Sequence, residues 1–438
     1  MPDNAGFPVT DVGEEGDGIV RLPADDGEVT QQYVKGALPG DRVSQRPGSS
    51  DFEIVERASS ARRDGSLCVH YPACGSCTVQ HMSDAFYTAW KQASLSKALA
   101  GVVGDGADTG RAVAGIALER VPLQSRRRAV FGVVAKGSDG VDIGYHTYRR
   151  HDLVDLTTCA VTRPSIIAAL PGLRVLLGKF FPSGRTLARM TVLDTDGGLD
   201  VAIAVEGKGR QRRAAVVSEE AQVPGPVARL TINDETVLQR AVPTLGVDGL
   251  AVTPPPGAFV QATVEAEKIM IDIASQAMRS AKAKRIADLF CGLGTFSLPL
   301  ARIGQVAAID NDAKLVGALE AASRHATGLK PIATRVRDLH RDPLSPVELK
   351  PFDAVIFDPP RAGAKGQAAA LSKSSVGLVV AVSCNPVTLA RDIALLREGG
   401  FSLESITGID QFIFTPHLEA VAVLKRKGKG RRPLRRGN

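Results

Sequence analysis

Beyond residue 260 the apolar positions of this chain gather into short β-branched runs separated by longer spans in which apolar residues recur every three or four positions. Runs of the first kind read as strands buried on both faces, and spans of the second kind read as helices. The strands predicted are Arg285–Leu289, Val306–Ile309, Ile332–Val336, Ala354–Phe357 and Val376–Val382. The helices are Glu265–Met278, Val387–Arg397 and one beginning near Phe296. Strands alternating with helices predict an α/β, Rossmann-like, doubly wound parallel sheet.

The amino-terminal half has another texture. Residues 7–58 are short strand patterns punctuated by Gly13, Gly16, Gly18, Gly27, Gly36 and Gly40, which predicts a small β-barrel. From residue 59 a cysteine cluster leads into alternating stretches such as Leu187–Leu193 and Leu199–Val205, the pattern of a mostly β central domain. Thr253-Pro254-Pro255-Pro256-Gly257 is a stiff boundary. The expected division is therefore 1–58, 59–252, 253–424 and a tail, 425–438. A chain of 438 residues is too long for one ordinary core, and several domains fit its length.

Composition excludes more than it selects. A 44% hydrophobic and 23% charged chain is ordinary for a soluble globular protein, and no apolar stretch approaches the ~18 residues of a membrane span. The acidic amino terminus lacks the cationic and apolar regions of a secretion signal, so a cytoplasmic address is expected. The net charge of +7 is concentrated in Lys425–Asn438, where eight Lys or Arg leave the remainder at −1. A basic, Gly- and Pro-punctuated tail reads as disordered and suited to a polyanion. Any basic footprint in the body is local, as in Arg126-Arg127-Arg128 or Arg149-Arg150.

The candidate chemistry sits at strand ends. Ser383-Cys384-Asn385-Pro386 closes the last apolar run and opens a helix, so Cys384 lies between a strand's carboxyl end and a helix's amino end. That position lowers a thiol's pKa and suits a nucleophile, although a buried structural cysteine fits the same pattern. Asp288-Leu-Phe-Cys-Gly-Leu-Gly-Thr295 follows the first strand, and Gly292 and Gly294 let backbone approach a ligand there. The second strand ends in Asp310, an acceptor for a ribose diol, while the loop lacks the dinucleotide glycine spacing. S-adenosylmethionine, a nucleoside without a pyrophosphate, fits that loop better than a dinucleotide. Asp358-Pro359-Pro360 holds a carboxylate rigidly at the sheet edge, and Asp338 reads either as an adenine contact or as a loop cap. Cys68, Cys74 and Cys77 with distant Cys159 form a three-plus-one set that suits an iron–sulfur cluster better than zinc.

With Asp288–Phe296, Asp358–Gly363, Ser383–Pro386 and Asp410-Gln-Phe-Ile-Phe-Thr-Pro-His-Leu-Glu419 in this order, the chain resembles the RNA uridine-5-methyltransferases, most of all their bacterial 23S ribosomal RNA branch. Gly13–Val43 is similar to that family's TRAM barrel, and Phe259-Val-Gln261 to the motif entering its methyltransferase domain. The resemblance implies that Gln261, Phe290, Asp310 and Asp358 contact S-adenosylmethionine, that Cys384 is the nucleophile and Glu419 the base, and that Cys68, Cys74, Cys77 and Cys159 hold a 4Fe-4S cluster. It implies RNA, most of all 23S ribosomal RNA, as substrate. Thr263 and Thr295 stand where the family often has Asn, and Asp310 where Glu is more usual. The same chemistry in DNA cytosine-5 methylation places its cysteine after the fourth strand's proline, where this chain has Asp358-Pro359-Pro360. Transfer RNA methylation and a non-catalytic iron–sulfur RNA-binding protein are the other readings.

Overall fold

The structure, a computed structural model, describes residues 6–23, 28–103, 116–181, 186–206 and 225–426. Its first sheet is built from β1 (Phe7–Val12), β2 (Gly18–Pro23), β3 (Val29–Val34), β4 (Arg42–Gln45) and β5 (Phe52–Glu56), in the order β3-β2-β1-β4-β5. Val9, Val20, Val34 and Val43 alternate inward to make its small core. The outer strands β3 and β5 touch without pairing, so the expected barrel is curled but not closed by hydrogen bonds among the described residues.

Helix α1 (Asp84–Leu99), capped by Ser83, leads to β6 (Ala117–Arg120). A second sheet follows from β7 (Arg128–Ala135), β8 (Val141–His146), β9 (Leu153–Asp155), β10 (Thr186–Thr195), β11 (Gly198–Val205), β12 (Val227–Ile232) and β13 (Glu235–Gln239). Strict alternation of burial along β7 turns Phe131 and Val133 toward α2 (Pro164–Phe180), which covers that face. The two alternating stretches read from the sequence lie inside β10 and β11. A hairpin of β14 (Leu245–Val247) and β15 (Leu250–Val252) precedes the proline-rich boundary.

The carboxy-terminal part begins with α3 (Val264–Ser280), whose N-cap is Thr263: the hydroxyl accepts the Ala266 N–H at 3.1 Å. Threonine in place of the family's usual asparagine therefore has a local task here. After it come β16 (Arg285–Leu289), α4 (Ser297–Ala301), β17 (Gln305–Asp310), α5 (Ala313–His325), β18 (Ile332–Val336), β19 (Ala354–Phe357), α6 (Lys365–Ser372), β20 (Leu378–Ser383), α7 (Pro386–Glu398), β21 (Phe401–Asp410) and β22 (Glu419–Arg426). The sheet order is β18-β17-β16-β19-β20-β22-β21-β6.

This arrangement corrects the expectation of a wholly parallel sheet. β16 to β20 are parallel, but β22 runs antiparallel between β20 and β21, and β6, from the upstream half of the chain, adds to the far edge. The five strands read from the sequence are the parallel ones; β6, β21 and β22 were not among them, and an apolar pattern is the same whichever way a strand points. The basic tail also starts later than expected. Lys425 and Arg426 belong to β22, and the Arg426 guanidinium donates to the carbonyls of Leu371, Val376 and Gly399. Residues 427–438 lie outside the described part. Among the described residues no helix is long and apolar enough to cross a membrane.

Candidate active site

Sheet order reverses beside β16, since β17 lies on one side of it and β19 on the other, and the carboxyl ends of these strands face a common crevice. Phe290 follows β16, Asp310 ends β17, Asp358 follows β19 and Cys384 follows β20. Glu419 is the first residue of β22. Because β22 is antiparallel to β20, with Ser383 opposite Ala420, its beginning meets the carboxyl end of β20 and sets Glu419 beside Cys384.

The loop after β16 is bent by three left-handed residues, Phe290 (φ 61°), Gly292 (φ 53°) and Gly294 (φ 91°). The two glycines do different things. A Cβ on Gly292 would meet nothing within 4 Å, so this residue opens toward empty space, the cradle a ligand needs. A Cβ on Gly294 would lie 2.4 Å from Leu319 Cδ1, so this glycine serves close packing against α5. Asp310 shapes the loop as well as facing it: its two oxygens accept the N–H groups of Gly292 and Asp312, both at 2.9 Å. Each carboxylate oxygen keeps a further lone pair for a hydroxyl. Half-buried Phe290 stands 5.2 Å, ring to ring, from His340. Asp338 accepts the N–H groups of His340 and Arg341 and so caps its loop.

Beneath this crevice lies a line of acids and amides. Gln261 Nε2 donates to Asp358 Oδ2 at 2.8 Å, and Gln261 Oε1 accepts from Gln411 Nε2 at 3.0 Å. Gln411 Nε2 also donates to Glu419 Oε2 at 2.8 Å, while Glu419 Oε1 is buried without a partner. Burial first, and the Asp358 charge second, push the Glu419 carboxyl well above the usual range; burial likewise raises Asp358, with the Gln261 hydrogen bond opposing it. Asp288, at the end of β16, is fully buried with one oxygen on Ser297 and the other unpartnered, and burial lifts it to about 7.

The thiol of Cys384 differs from expectation. Burial, then the Glu419 and Asp358 carboxyls, push it up to about 11, and Arg361 offsets this only in part. The helix behind it gives little help because Asn385 caps α7, its side-chain oxygen taking the N–H groups of Val387 and Thr388. The loop from Asp358 is pinned to that same helix: the Arg361 carbonyl accepts from Asn385 Nδ2 at 3.2 Å and Thr388 Oγ1 at 3.3 Å. Cys291 is buried and inert, its thiol raised well above the ordinary value.

Cys68, Cys74, Cys77 and Cys159 line one small cavity with Tyr71 and Tyr145, and none is in a disulfide. Burial pushes the Cys77 thiol up to about 12, and the three other sulfurs add to the shift. Among the described residues no three His, Cys, Asp or Glu side chains are set to hold a metal ion as they stand, so the expected cluster ligands are present as four thiols facing a common space. The Arg126–Arg128 footprint also needs correction. Arg127 is buried, pairs with Glu267 at 2.6 Å and donates to the Gln261 carbonyl, so it is a strut and not a surface cation.

Residues 244–427 match the family described as tRNA (uracil-5-)-methyltransferase. An uncharacterised RNA methyltransferase of Brucella suis is 40% identical over 424 residues, covering 95% of this chain and 96% of that protein. The chain belongs to the RNA uracil-5-methyltransferases. As a member it is an enzyme that uses S-adenosylmethionine and acts on RNA. The family also includes a 23S rRNA (uracil(1939)-C(5))-methyltransferase of Aeromonas hydrophila, 29% identical over 90% of this chain and 91% of that protein. Among solved structures, the Pyrococcus abyssi tRNA (uracil-54, C5)-methyltransferase in complex with S-adenosyl-L-homocysteine shares the fold, with a TM-score of 0.69, 20% identity and coverage of 95% of this chain and 99% of that one. Within the methyltransferase site, Gln411 and Asp288 were missed by sequence reasoning. They lie in the Asp288–Phe296 and Asp410–Glu419 motifs, but an amide or acid joining other side chains leaves no periodic signal.

Proposed function

We propose that the enzyme methylates carbon 5 of a uridine in 23S ribosomal RNA through a covalent bond between Cys384 and the base. The observation that carries this reading is the antiparallel register of β20 and β22, which sets a thiol, Cys384, and a buried carboxyl with one free oxygen, Glu419, at one edge. The Cys384 thiolate adds to carbon 6, and its electron pair makes carbon 5 nucleophilic. S-adenosylmethionine, held by Gln261, Phe290, Asp310 and Asp358 around the open face of Gly292, supplies an electrophilic methyl group and a sulfonium charge. Glu419 then takes the carbon 5 proton, the double bond re-forms and the thiolate leaves. A uridine must leave its stack to reach a recessed thiol, so an unpaired or flipped base is the substrate. The rim suits RNA: Phe259 is 67% exposed beside the Arg128 guanidinium, and Arg126 lies over Phe412.

We infer further that Cys68, Cys74, Cys77 and Cys159 hold a 4Fe-4S cluster, since three buried thiols and the half-buried Cys159 around one space are the donor set that such a cluster takes. Its part is structural, because the N–H groups of Thr78 and Val79, next to Cys77, both donate to the Phe414 carbonyl in the segment that leads to Glu419. A transfer RNA substrate is the second reading, favoured by the description of the matching family and by the activity of the Pyrococcus enzyme. RNA from cells lacking the protein, treated with it and S-adenosylmethionine, tests both. New 5-methyluridine in 23S RNA supports the first, its appearance only in transfer RNA supports the second, and its absence from both overturns the assignment.

A further inference from the structure

Gln411 is 2% exposed and uses its amide in three directions. The Ala262 N–H donates to its oxygen at 3.1 Å. A backbone N–H can only donate, so the Gln411 oxygen must face Ala262 and its NH₂ must face Gln261 and Glu419. The two hydrogens of that NH₂ go to Gln261 Oε1 and to Glu419 Oε2. One side chain, oriented by main chain, thus holds one oxygen of the Glu419 carboxyl and leaves Oε1 without a partner. The same amide also orients Gln261 so that its own NH₂ reaches Asp358. The segment bearing Gln411 is braced from behind. Buried Lys91 pairs with Asp410 at 3.0 Å, and Tyr87 donates to Asp410 at 2.6 Å and accepts the Phe414 N–H at 3.0 Å.

We propose that Gln411 is a positioning residue for proton removal from carbon 5: it pins Glu419 Oε2 so that Oε1 alone is presented to the base. The inference rests on the reading of Glu419 given above. In the step concerned the carbon 5–hydrogen bond breaks and the proton passes to Glu419 Oε1. The electron pair re-forms the carbon 5–carbon 6 double bond, the carbon 6–sulfur bond breaks, and Cys384 leaves as thiolate. Methyl transfer precedes that step and does not need the Glu419 proton acceptor.

The test separates the two steps in one turnover, with RNA tritiated at uracil carbon 5 and methyl-labelled S-adenosylmethionine. Gln411→Met keeps the length and removes both donors. It is expected to leave methyl transfer within about threefold of wild type while slowing tritium release tenfold or more, the size of effect of a lost hydrogen bond to a charged group. Methylated protein–RNA adduct should accumulate in step. Gln411→Glu, which keeps the shape but sets an acid against Glu419, should show the same split. Equal slowing of both steps would mean that Gln411 merely supports the fold or the Gln261–Asp358 arm, and would overturn the proposal. So would wild-type tritium release in both variants. If the wild-type protein itself releases no tritium and forms no adduct, the functional reading fails first and the inference falls with it.

Discussion

At the scale of single residues, the reactivity of Cys384 is set by neighbours that come from distant parts of the chain. A strand-to-helix junction favours thiolate, but Asn385 takes the helix donors and two carboxyls stand nearby, so the resting thiol is held neutral. The consequence is measurable in the free protein. Alkylation of Cys384 by iodoacetamide, followed by peptide mass spectrometry, should rise about tenfold per pH unit from neutrality and level off only toward pH 11. Glu419→Gln removes a negative neighbour that raises the thiol's pKa, so its midpoint must move down, toward neutral pH. A wild-type midpoint below pH 8, or no downward movement in Glu419→Gln, would show that these carboxyls do not control the thiol.

At the scale of elements, the loop after β16 divides its labour between two glycines. Gly292→Ala costs only the left-handed backbone, of order 1 kcal/mol, and places a methyl in the open cradle. It should change the melting temperature little and raise the KM for S-adenosylmethionine. Gly294→Ala adds a clash with buried Leu319 and should lower the melting temperature by several degrees, roughly what 1–3 kcal/mol of overpacking gives. Calorimetry and initial-rate kinetics on both variants check the contrast; a Gly292→Ala protein with unchanged KM would place the ligand elsewhere. Much at this scale was legible in sequence. Arg285–Leu289, Ile332–Val336 and Ala354–Phe357 are strands with the bounds read from the sequence; Ala354–Phe357, buried throughout, has no polar interruption, whereas Ile332–Val336 is a half-exposed edge strand that keeps Thr334 and Arg335. β6 was not legible: Ala117-Leu-Glu-Arg120 has no apolar run, and only pairing with β21 makes it a strand. Nor was β22 among the strands read, and the placement of Glu419 depends on it.

At the scale of the whole molecule, the upstream half of the chain braces the site. Thr78 and Val79 hold the Phe414 carbonyl, and Arg127 ties β7 to the Gln261 carbonyl and to Glu267 on α3. Removal of Lys91, as in Lys91→Met, would strand the fully buried Asp410 charge and is expected to cost about 3–5 kcal/mol in urea unfolding, with part of it regained in Lys91→Met/Asp410→Leu. The cysteine cavity gives a second test of this bracing. Protein purified without oxygen should carry iron and acid-labile sulfide in comparable amounts, both lost in Cys74→Ser; stoichiometric zinc without iron would overturn the cluster assignment. The central claim is that Cys384 and Glu419 act on opposite sides of methyl transfer, and one denaturing gel tests it most directly. With substrate RNA and S-adenosylmethionine, Cys384→Ala should give no covalent protein–RNA band, while Glu419→Gln should give a methylated band that forms and persists. Normal turnover by Glu419→Gln, or a covalent band from Cys384→Ala, would contradict the account.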